Sequence, residues 1–280
     1  VDIDTISGGK NLIVVANGNV SLDDASQLEG NINIRSGGTI DITNATAALG
    51  TLTLSNDRAP EGSDITLTNA NSFGNVSISS VGSIIATANN GLANASMISA
   101  TAAEDSALNA DGVANQTVSL NAVNRNSDLT QFTLNASSIE QLNLGGSSPI
   151  VVVADGADIS TKAVSNTNAD ATLWLSGADT DLTQVATSLK LRLKNFDGKT
   201  ITVKDSQDLY LDAEFDQTAS TAIPIFDHIT DASTLTTNTI TLKTVDSDTS
   251  NGDATLAIAG LKFVDIQTVN LQLLDTIGLD

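Results

Sequence analysis

The 280-residue chain has no cysteine and only one histidine, one tryptophan, one tyrosine and one methionine. Without thiols there is no cysteine nucleophile, no disulfide and no thiolate metal site. His228 is the lone imidazole, so a zinc site built on several histidines is excluded, and a Ser-His-Asp triad would have to pass through it. It lies in Pro224-Ile225-Phe226-Asp227-His228-Ile229, and the chain has no Gly-x-Ser-x-Gly elbow. Positive charge is scarce as well, with 12 basic residues against 33 acidic ones and a net charge of −21. That balance repels phosphate backbones and argues against a nucleic-acid binder. No apolar run approaches the roughly 20 residues of a membrane-spanning helix. Cysteine avoidance suits an exposed protein that must not cross-link by accident. Val1 opens the chain without a charged-then-apolar signal, so any targeting segment is expected to have been removed or to lie upstream.

What the chain does have is small and polar: 34 Thr, 26 Asn and 20 Gly, and 28 Asp among its 33 acids. A hydrophobic fraction of 40% still supports a folded core. A short phrase recurs, polar-aliphatic-polar-aliphatic and then a turn. It reads Asn19-Val20-Ser21-Leu22, Asn31-Ile32-Asn33-Ile34, Thr39-Ile40-Asp41-Ile42, Thr51-Leu52-Thr53-Leu54, Asp64-Ile65-Thr66-Leu67 and Asn75-Val76-Ser77-Ile78. Later copies include Thr117-Val118-Ser119-Leu120, Thr172-Leu173-Trp174-Leu175 and Thr239-Ile240-Thr241-Leu242. Period-two alternation puts the aliphatics on one face of a strand.

The phrases begin at 19, 31, 39, 51, 64, 75 and 83. Alternate members are thus about 19 to 25 residues apart, the rung length of a β-solenoid. A β-sandwich of short strands is the competing reading, and the near-constant two-strand period favours the solenoid. The expected class is all-β, with parallel β-solenoid rungs in residues 1–160 and a further solenoid or sandwich in 161–280. Gly18, Gly30, Gly38, Gly50, Gly74 and Gly82 precede strands, where corners are expected to need positive φ. Between Ala86 and Asp111 the alternation blurs, and an irregular loop with one helical turn is expected. Asp179-Thr180-Asp181 ahead of Leu182, Val185 and Leu189 reads as a capped short helix.

Asp clusters are the candidate metal ligands. Asp246, Asp248, Ser250 and Asp253 alternate along one turn and offer the hard oxygens that calcium takes. The turn departs from the helix-loop-helix calcium loop, because Gly252 is one place late and Ala257 replaces the bidentate Glu. Asp155 with Asp158, and Asp179 with Asp181, are further candidates. The alternative for all three is a solvated turn, since Asp favours Asx-turns. Lys190, Arg192 and Lys194 alternate with leucines and put three cations on one strand face, followed by Lys199 and Lys204. That stripe suits an anion, such as a lipopolysaccharide phosphate, or an acidic face of another copy. A strand edge guarded by lysine is the plainer account. Thr pairs such as Thr51-Thr53 and Thr66-Thr68 invite an ice-binding reading, but the polar positions do not repeat regularly. A polysaccharide lyase needs a base beside an acidic cleft, and only Lys10, Arg35, Arg58, Arg125 and Lys162 precede residue 180.

Ser138-Ile139-Glu140-Gln141-Leu142-Asn143-Leu144 and Phe263-Val264-Asp265-Ile266-Gln267-Thr268-Val269-Asn270-Leu271 are two copies of one phrase. The phrase and the composition resemble the large calcium-dependent surface-layer proteins and related repeat exoproteins of Gram-negative bacteria. That resemblance implies β-solenoid domains, an extracellular cell-surface location, calcium as cofactor, and assembly with copies of itself on lipopolysaccharide. The Gly-Gly-x-Gly-x-Asp calcium tract of such proteins is missing. The N-terminal rungs also resemble filamentous-haemagglutinin-type adhesins, which implies a stalk or binding module. The expectation is a non-catalytic structural protein, with that module as the alternative and a β-helical enzyme or ice binder ranking lower.

Overall fold

The computed structural model describes residues 1–6, 8–45, 50–70, 73–88, 92, 95–110, 116–136, 139–155, 163–176, 180–181, 189–194, 200–203, 207–212, 225–228, 239–245, 262–264 and 268–273. Among them there are strands and turns but no helix. The chain divides into two compact units, Val1–Val153 with Val164–Ala171, and Ala154–Ala163 with Thr172–Asp280.

The first unit is a β-solenoid. Its odd strands are β1 (Asp2–Thr5), β3 (Val20–Asp24), β5 (Ile40–Ile42), β7 (Ile65–Thr68), β9 (Ile84–Ala88), β11 (Ser106–Asn109), β13 (Thr130–Asn135) and β15 (Ile150–Asp155), hydrogen-bonded in that order. The even strands form the other sheet: β2 (Asn11–Ala16), β4 (Asn31–Ser36), β6 (Thr51–Ser55), β8 (Asn75–Ser80), β10 (Met97–Ala102), β12 (Gln116–Ala122), β14 (Ile139–Gly146) and β16 (Ala163–Asn166). Neighbours run parallel, as a coil that places each strand on its counterpart one turn earlier requires. Val20 lies beside Ile40 and Ile40 beside Ile65, so one turn takes 20 residues and the next 25.

Register explains the core. Ile32, Leu52, Val76, Ile98, Val118 and Leu142 stand in one column across β4 to β14, and each is 2% exposed or less. β-Branched and leucyl side chains suit these inward positions because each stacks on its like in the next turn. Among the described residues, Phe73 and Phe132 are the largest fully buried side chains.

Two expectations are corrected. The stretch from Ala86 to Asp111 continues the solenoid through β9, β10 and β11. Leu92, Ile98 and Leu108 are buried, whereas Met97 is exposed. Alanine hides the pattern there, because Ala100 and Ala102 fill inward positions that elsewhere hold isoleucine or leucine. The corner glycines are also different from expectation. Positive φ occurs at Gly8, Gly9, Gly62 and Gly146, and none of the six pre-strand glycines has it. At Gly30 a Cβ would run into the Lys10 carbonyl, and at Gly50 into the Gly30 carbonyl. Crowding between stacked turns selects glycine there. Gly18 and Gly74 have open space instead.

The second unit repeats the alternation. One parallel sheet holds β17 (Ala171–Ser176), β19 (Lys190–Lys194), β21 (Gln207–Asp212), β23 (Thr239–Val245) and β25 (Thr268–Leu273) in that order. The other holds β18 (Thr180–Asp181), β20 (Thr200–Val203), β22 (Ile225–His228) and β24 (Lys262–Val264). Leu191 pairs with Leu209 after 18 residues, but Leu209 meets Leu242 only after 33. Of the short helix expected after Asp179, Thr180 and Asp181 are strand, paired with Ile201 and Thr202. Asp179, Leu182 and Val185 lie outside the described residues.

Candidate functional site

Several of the described Asn and Asp side chains join one turn to the next. Asn19 Oδ1 accepts the Thr39 main-chain N–H at 3.0 Å, and Asp64 Oδ1 accepts that of Ser83 at 2.8 Å. Asp105 Oδ1 does the same for Gln131 at 2.8 Å. Asp57 receives two hydroxyls, Ser55 Oγ and Ser79 Oγ, each at 2.7 Å. A short side chain at a corner reaches the amide of the next turn, which a longer Glu would overshoot. These aspartates are brackets between turns.

The sequence-derived metal candidates fall mostly elsewhere. Asp158, Asp179, Asp246, Asp248, Ser250 and Asp253 lie outside the described residues, as do Lys199 and Lys204. Asp155 ends β15, and Asp181 ends β18. Among the described residues one acidic group stands out. Carboxylate oxygens of Asp2, Asp4 and Asp23 all lie within 4.8 Å of one another, on exposed side chains. The β1–β3 register creates the group, since Ile3 pairs with Leu22 and sets the residues that follow, Asp4 and Asp23, side by side. Ser21 Oγ donates to Asp23 Oδ1 at 3.3 Å. Three hard oxygens in this spacing offer a divalent cation a partial coordination shell that water would complete. Sequence reasoning missed the group because its members meet only through the stacking of turns, although Asp2-Ile3-Asp4 was a visible half of it. Next to it, Asp24 accepts from the Ser26 hydroxyl and main-chain N–H, and these bonds hold its carboxyl below the usual value of 3.8. The main-chain bond measures 2.8 Å.

The first turns also carry exposed apolar and basic residues. Ile13 and Val15 on β2 are 73% and 76% exposed. Beside them a shallow groove of about 190 Å³ is lined by Val15, Asn17, Arg35, Ser55, Asp57 and Arg58. The outward column Asn33, Thr53, Ser77, Ser99, Ser119 and Asn143 mixes three residue types, so the threonines make no continuous ladder.

In the second unit, Lys190, Arg192 and Lys194 occupy alternate positions of β19, beside Thr172, Trp174 and Ser176 of β17. His228 ends β22 beside Val203. No described helix is long and apolar enough to cross a membrane. Compared with known proteins, the chain matches no family model, no curated protein and no solved structure.

Proposed function

We propose that this chain is a non-catalytic, extracellular structural protein that assembles with copies of itself into a surface layer or related cell-surface array, with calcium assisting. The observation that carries this reading is the first turn of the solenoid. β1 and β2 each stand at the end of their sheet, and β2 holds Ile13 and Val15 at 73% and 76% exposure. Exposed apolar residues side by side on one strand face favour contact with another subunit. A contact between this face of one copy and a different surface of the next is heterologous and propagates into filaments or sheets.

A net charge of −21 opposes close approach of copies. Divalent cations held by carboxylates such as Asp2, Asp4 and Asp23 would offset part of it. The test is light scattering with negative-stain imaging across a calcium titration, with magnesium as control. Ordered sheets or filaments that need calcium support the proposal. A monodisperse particle indifferent to calcium overturns it and favours an adhesin-type binding module.

A further inference from the structure

Charge is divided between the two sheets in the first turns of the solenoid. On the odd sheet, β1, β3 and β5 contain five aspartates and no basic residue. Asp2 stands beside Ser21, and Ser21 beside Asp41. Leu22, Ile40 and Ile42 are buried, so alternation puts Asp2, Asp4, Asp23 and Asp41 on the face away from the core. All four are exposed. On the even sheet, β2, β4, β6 and β8 contain no acidic residue at all.

The even face carries the opposite character. Val15 stands beside Arg35, and Arg35 beside Ser55. Arg35 and Arg58 line one groove with Val15. The groove also has a carboxylate, Asp57, but it is occupied: one oxygen accepts Ser55 Oγ and the other Ser79 Oγ. Among the described residues the one ion pair joins Arg125 to Glu61, so neither groove arginine has such a partner. Two exposed guanidinium groups thus adjoin the exposed side chains of Ile13 and Val15. A guanidinium is more weakly hydrated than an ammonium and presents a planar fork to carboxylates, so it suits a surface that another protein covers.

We propose that this even-sheet face of one copy docks on the acidic odd-sheet face of the next. Arg35 and Arg58 meet carboxylates of the Asp41 neighbourhood, and the same contact covers Ile13 and Val15. The inference deepens the assembly reading, on which it rests, by naming the two faces that meet. Those faces lie on opposite sides of one core, so every copy keeps a free face for another and the contact repeats. Two even faces together would set arginines against arginines, and two odd faces aspartates against aspartates, so charge selects the mixed pairing. Calcium at Asp2, Asp4 and Asp23 lowers the charge of the odd face without reversing it, and the arginines still meet a negative surface.

The chain has no cysteine, so introduced thiols report the contact without background. Asn33 lies beside Ile13 on the even face, and Thr66 beside Asp41 on the odd face. Full chains carrying Asn33→Cys and Thr66→Cys, one of them with a size tag, are mixed in calcium and treated with a short bis-maleimide. The mixed pair is expected to link roughly ten-fold faster than either chain with itself. Adding Arg35→Gln and Arg58→Gln to the Asn33→Cys chain is expected to slow linking roughly ten-fold, and raised salt acts in the same direction. Circular dichroism checks folding, and Asp41→Asn in the Thr66→Cys chain replaces the arginine variant if that fails to fold. Either chain linking to itself as fast as to the other overturns the proposal, as does a folded arginine variant that links like its parent. Assembly that proceeds without mixed linking sinks this inference alone. A chain that stays monodisperse at every calcium concentration sinks the assembly reading with it.

Discussion

Asn31 Nδ2 donates to Asn11 Oδ1 at 3.0 Å, and the Asn31 main-chain N–H reaches the same oxygen at 3.2 Å. Asn31 Oδ1 in turn accepts the Thr51 main-chain N–H at 2.8 Å. A carboxamide can donate and accept at once, so it passes the connection from turn to turn in a way that a carboxylate, which only accepts, cannot. Among the described residues, asparagine is thus tied to the stacking of the turns.

The value of such a bond depends on burial. Asn56 is fully buried, donates to the Ser63 carbonyl at 2.6 Å and accepts the Val81 main-chain N–H at 3.0 Å. Removing its side chain leaves a buried donor and acceptor unmet, so Asn56→Ala is expected to cost about 2–4 kcal/mol. Asn31→Ala, with water at hand, is expected to cost about 1 kcal/mol or less. Urea denaturation of both variants checks the ranking, and equal losses would contradict it.

Gly30 and Gly74 both precede strands but differ in surroundings. A Cβ on Gly30 meets the Lys10 carbonyl, whereas one on Gly74 has nothing within 4 Å. Gly30→Ala is therefore expected to destabilise by about 1–3 kcal/mol through forced backbone shifts. Gly74→Ala is expected to change stability by about 1 kcal/mol or less in either direction. Thermal unfolding of the pair tests whether crowding, with φ negative at both, selects glycine at these corners.

The contrast shows what a sequence can and cannot reveal here. Val20 and Leu22 are legible as inward residues because Ser21 separates them, and the same contrast exposes most turns of the first unit. Ala100 and Ala102 are equally inward, but alanine differs too little from Ser99 and Thr101 in hydropathy to reveal the period. Which glycines are crowded, which aspartates gather and which outward residues share a column all depend on register. Loops of unequal length set that register. Asp4 meets Asp23, and Val15 shares a column with Arg35, only once the number of residues in each turn is known.

Thr130 is fully buried, and its Oγ1 has no hydrogen-bond partner. Its main-chain N–H is satisfied by the Pro149 carbonyl at 3.0 Å, independently of the hydroxyl. A buried hydroxyl without a partner costs about 1–3 kcal/mol in lost hydration. Thr130→Val keeps the branched shape and removes that cost, so a gain of about 1 kcal/mol is expected in denaturant unfolding. A loss would mean that the hydroxyl is hydrated in solution.

Asp24 provides an acid-sensitive contact. Hydrogen bonds from Ser26 lower its folded-state value below 3.8. The folded chain therefore binds this proton less readily than the unfolded chain. The stabilisation is complete above 3.8 and is lost as pH falls through the lower folded value. Stability of the parent minus that of Asp24→Ala is expected to be level from neutral pH down to that point and to shrink below it. A difference that grows on acidification would reverse the sign and refute the assignment.

Ile13 and Val15 lie beside Asn33 and Arg35 in the β2–β4 register. Their outward columns are thus polar one turn on and apolar only at the end strand. Exposed at 73% and 76%, they add little to the core, so replacing both with threonine should change unfolding free energy by about 0.5 kcal/mol or less. If this face contacts another copy, the same change removes buried apolar area from that interface. Sedimentation in calcium is then expected to show association weakened by roughly ten-fold or more. Undiminished assembly by a folded double variant would move the contact away from this face. The solenoid would then have to associate through another surface.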